Sequence, residues 1–289
     1  MYGLYQAGYY IARSLPRKVC YAVAVMAAYI YGFFSKTDRD NIKANLLIVT
    51  DEKISSRDLK KHSYALFANF AKYLVDFFKF GRFTREEALR RVEFRGVELI
   101  DKYLSRGRGL ILLSLHLGNW ELAGAVLSAM GYPINAIALE HADKKVNDFF
   151  VGQRALNDVK VIPLGIQVKK CFQVLKRNEV LGIVGDKDYT SNGECVEFFG
   201  RKTFIPKGPA FFALRTGAPI LVTALTRRRD DNFVMLFEEP EEFIPSGDIK
   251  HDLKALMSTY LKVMEKLIRT YPDQWYAFRR VWEPGQTIL

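Results

Sequence analysis

The chain has 289 residues, of which 49% are hydrophobic and 26% charged, enough apolar material to build a sizeable core and too much for a disordered chain. Lysine and arginine number 43 against 32 aspartates and glutamates, and the resulting formal charge of +11 favours an anionic partner: nucleic acid, anionic lipid or an acidic carrier protein. Three widely separated cysteines form no CxxC pair, and the motifs GxGxxG, GxxxxGK(S/T), HExxH and GxSxG are missing. That excludes a disulfide framework, a thiolate zinc site and the usual handles for dinucleotides, P-loop nucleotides, zincins and nucleophile-elbow hydrolases.

In chain order, the first segment contains "VCYAVAVMAAYIYGFF", Val19 to Phe34, uncharged and flanked by Arg17, Lys18, Lys36 and Arg39. As a helix it reaches about 24 Å at 1.5 Å per residue, short of the roughly 30 Å hydrocarbon layer. It reads as a helix that dips into one leaflet or lies in the interface, with Tyr2, Tyr5, Tyr9, Tyr10, Tyr21, Tyr29 and Tyr31 suited to the headgroup region. An ordinary buried helix is the alternative. Next, Leu59, Leu66, Phe67, Phe70, Leu74, Phe77 and Phe78 recur at the spacing of an amphipathic helix, and Thr84 with Glu87 forms a capping box for a short helix running towards Arg91.

From Val92 the texture changes to short runs, "VEF", "GLILLSL", "INAIALE", "VKVIP", "VLGIV", "PILVTAL" and "FVMLFEE", separated by helical patterns. This alternation predicts an α/β fold with a sheet layered by helices. A final helix spans Lys250 to Tyr271. The organisation is thus a helical, membrane-associating region over residues 1–91 and an α/β body over residues 92–289, forming one compact unit.

The stretch "GLILLSLHLGNWELAG" ends an apolar strand in His116, at the carboxyl end where open α/β sheets place their ligands. Gly118 permits close backbone approach, Asn119 can cap the following helix, and Glu121 sits near its positive end. A Glu121 carboxylate on one imidazole nitrogen would fix the tautomer, leaving the other nitrogen to take a proton from a hydroxyl. A plain structural reading stands beside it, with His116 bonding backbone and Glu121 facing water. Asp186 and Asp188 follow a second strand, where paired acids suggest Mg²⁺, but Lys187 lies between them and no phosphate-cradling loop accompanies them. Lys207 and Gly208 open a helix whose N–H groups and cation suit a phosphate. Arg227, Arg228 and Arg229 read as a solvated hairpin tip. Aromatic residues follow helix stripes and strand cores rather than interleaving with basic ones, so nucleic acid binding is not expected.

"HLGNWE" resembles the H-x4-(D/E) signature of the glycerolipid acyltransferase superfamily, here with glutamate, and in particular that of the late, lauroyl/myristoyl-type acyltransferases of lipid A biosynthesis. "GIVGDKDYTSNGECVEFFGRKTFIPKGPAFFALRTGAPIL" and "PDQWYAFRRVW" are similar to further blocks of that family, although residues after Trp275 fit the broad family better than the authentic lipid A enzymes. The resemblance implies a mostly parallel sheet flanked by helices and acyl transfer from acyl carrier protein (ACP) or coenzyme A to a lipid hydroxyl, with no cofactor or metal. It implies His116 as general base and Glu121 as its orienting partner, and it aligns Arg154 with an arginine region that would hold an anionic headgroup or carrier phosphate; Asn119, Asp186, Lys207 and Gly208 complete the expected substrate-binding residues. The setting it implies is the cytoplasmic face of the inner membrane, held peripherally or by a single N-terminal anchor. A thioesterase on the same donor, a non-catalytic lipid binder and a metal-dependent phosphoryl-transfer enzyme are the rivals.

Overall fold

Proline at position 16 cannot continue a helix from the preceding turn, so the N-terminal apolar region divides there into two helices. In a computed structural model, which describes residues 2–79, 81–165 and 167–282, these are α1 (Tyr2–Ser14) and α2 (Arg17–Phe34), followed by α3 (Lys36–Val49), α4 (Ser56–Lys79) and α5 (Arg85–Arg91). The side chains of Tyr2 and Tyr5 and residues 283–289 lie outside the described residues. The body continues as β1 (Val92–Arg95), α6 (Glu98–Leu104), β2 (Leu110–Gly118), α7 (Trp120–Ala129), β3 (Ile134–Ala138), α8 (Lys144–Ala155), β4 (Lys160–Pro163), α9 (Val168–Lys176) and β5 (Val180–Val184). It closes with β6 (Glu194–Phe198), β7 (Arg201–Ile205), α10 (Gly208–Thr216), β8 (Ile220–Arg227), β9 (Phe233–Glu238) and α11 (Ile249–Thr270). Thr84 and Glu87 do form the capping box of α5.

The seven-stranded sheet has the order β1-β9-β8-β2-β5-β3-β4. Strands β8, β2, β5, β3 and β4 run parallel, while β9 is antiparallel to β8 and carries β1 with it. As the central strand, β2 is apolar on both faces, as a strand covered on both sides must be. Ile111, Leu113, Leu115 and Leu117 join a core shared with α10 and α11, and Leu110 and Leu112 join a second core with α6 and α7. Alternation then sends Ser114 and His116 to the same face as Leu112. The strand leaves the sheet through Gly118, whose φ is +68° and whose Cβ, were one present, would lie 2.0 Å from the Leu225 carbonyl oxygen. Only glycine fits there.

Helix α2 runs antiparallel along α4: Tyr21 bonds Asp76 near one end, and Gly32 abuts the Phe67 ring near the other. The opposite side of α2 carries Val19, Val23, Met26, Ile30 and Phe33, all exposed and spaced at alternating four and three residues. Fastened to the body on one side, α2 leaves an apolar stripe exposed on the other.

Candidate active site

Parallel pairing places Ser114 of β2 beside Val184 of β5, and two residues further along each chain His116 meets Asp186. Asp186 Oδ1 lies 2.7 Å from His116 Nδ1 and also accepts the His116 backbone N–H at 3.0 Å. Its Oδ2 accepts the Trp275 indole N–H at 2.9 Å. Burial alone would raise the Asp186 carboxyl, but the His116 ring, Lys187 and the Trp275 N–H hold it well below the usual carboxylate range. Asp186 is therefore an anion that fixes His116 as the Nδ1–H tautomer, leaving Nε2 as the basic nitrogen. Burial pulls the His116 pKa below its ordinary value against the opposing pull of Asp186, so the resting ring is neutral at pH 7. The Tyr189 hydroxyl lies 3.4 Å from Nε2, the Trp120 ring packs edge-on at 4.9 Å between centroids, and the Tyr276 backbone N–H bonds the His116 carbonyl at 2.9 Å.

The position expected of Glu121 on the imidazole is thus taken by Asp186. Glu121 stands in the first turn of α7 and turns to α8, where Arg154 grips it with two hydrogen bonds of 2.9 and 2.6 Å. Both side chains are largely buried, and Arg154, in contact with the cavity below, is neither a solvated charge nor uncommitted. Asn119 is also corrected: 1% exposed, it caps α7 by accepting the Leu122 N–H and donates to Asp76 at 3.4 Å, and it does not line the cavity. Arg227 overturns the reading of a solvated tip. It is the last residue of β8, and its guanidinium is buried against Asp76 of α4, with the Tyr21 hydroxyl completing the cluster. Asp186 and Asp188 do not converge, because Asp188 is committed to its own turn through Thr190 and Gly193.

His116 borders a cavity of about 840 Å³ that also meets Glu121, Arg154, Lys187, Tyr189, Lys207 and Gly208. Its floor is the sheet, where Leu112, Gly182 and Ala136 stand abreast on β2, β5 and β3. Small residues at the middle and outer of these positions keep the hollow deep, and Phe70, Tyr73 and Leu74 of α4 close one side. Lys187, half-buried beside the His116–Asp186 pair, donates to the Tyr276 carbonyl at 2.6 Å, and desolvation lowers its pKa. An apolar hollow with a neutral, oriented imidazole at its border and cations around it can admit an alkyl chain and deprotonate a hydroxyl presented beside it.

The family model described as "Bacterial lipid A biosynthesis acyltransferase" matches residues 1–283. The phosphatidylinositol mannoside acyltransferase of Mycolicibacterium smegmatis is 25% identical over 289 residues, covering 96% of this chain and 90% of that protein. The protein of the same name in Mycobacterium tuberculosis is 26% identical over 221 residues, covering 74% of this chain and 68% of its own length.

Proposed function

As a member of the bacterial lipid A biosynthesis acyltransferase family, this chain is an acyltransferase, and we propose that it moves a fatty acyl group from a thioester of ACP or coenzyme A to a sugar hydroxyl of a membrane glycolipid. The observation that carries this reading is the His116–Asp186 pair at 2.7 Å on the border of an apolar cavity of about 840 Å³. The acceptor O–H gives its proton to His116 Nε2 as its oxygen attacks the thioester carbonyl carbon. Asp186 stabilises the imidazolium, the C–S bond breaks, and the thiolate leaves with the proton returned from Nε2. Lys187 and the Tyr189 hydroxyl, both on the cavity lining, are the groups that would meet negative charge developing on the carbonyl oxygen.

In this scheme Glu121 acts through Arg154, holding the guanidinium at the cavity wall, while Arg154, Lys207 and the start of α10 at Gly208 receive the anionic part of a headgroup or carrier. The relatives' name supports an inositol mannoside or similar glycolipid as acceptor class. The apolar stripe of α2 supports peripheral attachment, and a donor of the ACP or coenzyme A type supports a site on the cytoplasmic side.

The test is mass spectrometry of lipids from cells carrying the wild-type or the His116→Ala chain, paired with a purified assay on a labelled acyl thioester. An acylated glycolipid is expected with the wild type alone. Free fatty acid without acylated lipid would make the protein a thioesterase instead.

A further inference from the structure

A second cavity, of about 670 Å³, lies between α1, α2 and α4, and the chemistry above does not use it. Small residues make the space: Ala12 on α1, Ala24, Ala27 and Ala28 on α2, and Ala71 on α4. The remaining lining is almost wholly aliphatic or aromatic. Asp38, the one charged group on it among the described residues, is occupied by the Tyr31 and Ser35 hydroxyls at 2.6 and 2.8 Å. The volume lies within the roughly 300–1,000 Å³ of pockets that hold small ligands, and an apolar lining gives water few partners.

Two observations identify what fills it. On the outside, Ile11, Leu15 and Val23 line the slot and also belong to the exposed apolar surface of α1 and α2, so its opening lies on the face suited to a bilayer. On the inside, Phe70, Leu74 and Phe278 line both this slot and the His116 cavity, so the two hollows share a wall of side chains.

We propose that the slot holds an alkyl chain of the lipid acceptor. Resting on the acyl-transfer reading, the inference adds a second chain site: the donor's tail lies in the His116 cavity, while a chain of the acceptor is drawn from the membrane into the slot. The shared wall brings the acceptor headgroup to the catalytic hydroxyl position without the whole lipid leaving the bilayer. Occupancy of the slot selects acceptors that carry long chains.

The full chain is reconstituted on phosphatidylglycerol vesicles containing a diacyl glycolipid with a terminal diazirine on one chain, and photolabelled residues are mapped. Labelling is expected on α1, α2 and α4 around Ala24, Ala28 and Ala71, and Ala28→Phe should reduce it at least fivefold. In the same variant the ratio of kcat/KM for a two-chain acceptor to that for a short single-chain acceptor with the same headgroup should fall about tenfold. Because both rates come from one preparation, a general loss of folded enzyme cancels, and Ala24→Leu repeats the test with a smaller side chain. Unchanged labelling, an unchanged ratio, or equal labelling by a diazirine-bearing phosphatidylglycerol would overturn the proposal. Should the wild type transfer no acyl group to any acceptor, the acyl-transfer reading falls, and the labelling alone then decides whether the slot takes the glycolipid chain.

Discussion

Replacing Asp186 by asparagine separates the two carboxylates that compete for the role of imidazole partner. Both His116 bonds end on Oδ1 while Trp275 donates to Oδ2. An asparagine that keeps its oxygen towards His116 therefore turns its NH₂ against the indole N–H, leaving a buried donor unpaired at about 1–3 kcal/mol. The flipped amide is worse, since it opposes the His116 N–H and forces the tautomer whose Nε2 carries the proton. In either orientation the anion that stabilises the imidazolium is gone. At 2.7 Å and an effective dielectric of 20, that attraction is about 6 kcal/mol at most, some of which a neutral hydrogen bond retains. A loss of about 3–5 kcal/mol corresponds to a fall in kcat of about 10²–10⁴. Steady-state acyl transfer measured with both substrates varied should show that fall with KM changed only a few-fold. Glu121→Gln, which leaves the dyad intact and weakens the grip of Arg154, should act mainly through KM. A Asp186→Asn enzyme with more than a tenth of wild-type kcat, or a Glu121→Gln enzyme crippled more severely, would refute the assignment.

Because burial lowers the His116 pKa, the neutral base persists below the ordinary value of about 6.5, so kcat/KM should be flat at neutral pH and decline only as the medium is acidified beneath that value. Removing the Asp186 charge, which holds the pKa up, should move this acid limb to still lower pH; a wild-type limb centred at or above pH 7 would contradict the geometry. Asp76→Ala strands the buried Arg227 guanidinium, whose remaining carboxylate, Asp231, is 3.8 Å away, and should cost about 3–5 kcal/mol. With an unfolding entropy near 2.1 cal/mol/K per residue over 289 residues, the melting temperature should drop by roughly 5–8 °C, with Asp76→Ala/Arg227→Met recovering much of the loss by calorimetry. On the apolar stripe of α2, Ile30→Asp forfeits about 1.5–3 kcal/mol of burial in the interface, so vesicle sedimentation should show binding weakened about 10- to 100-fold with the melting temperature little changed.

The buried charges of this protein lie on a path from α2 to the His116–Asp186 pair. Tyr21 of α2 and Arg227 of β8 both bond Asp76, and Asp76 accepts the amide of Asn119, which caps α7 directly after the His116 turn. On its other side Arg227 exchanges two backbone bonds with the Gln274 side chain, at 2.7 and 2.9 Å, and the next residue, Trp275, holds Asp186. Buried polar groups carry a desolvation cost that only a complete set of partners offsets, so such a path tolerates few alternative arrangements. It thereby sets the angle at which α4 and the C-terminal segment meet the sheet, and hence the side of the cavity built from Phe70 and Tyr73.

Most strands and the long helices were legible because each signal is local: β-branched runs between turns, a capping box at Thr84, a three-to-four stripe in α4 and α11. Helix α3 was not, since its polar first half, "KTDRDN", hides the short apolar stripe that packs on α4, and the β6–β7 hairpin turns through Phe199 and Gly200, both at positive φ. Within the site, the sequence placed His116 and Asp186 each at the carboxyl end of a strand, yet the pairing of the two was beyond reach. It depends on β5 being the neighbour of β2, although two other strands intervene in the sequence, and on a register that sets Ser114 beside Val184. Five-residue proximity made Glu121 the natural candidate, but a helix that starts at Trp120 carries its first-turn carboxylate away from the strand end and towards α8, where an arginine awaits it. Sequence nearness favours a partner only when the intervening backbone turns the side chain the right way. Here the parallel ladder, which brings equivalent ends of distant strands together, determines the acid that holds the imidazole.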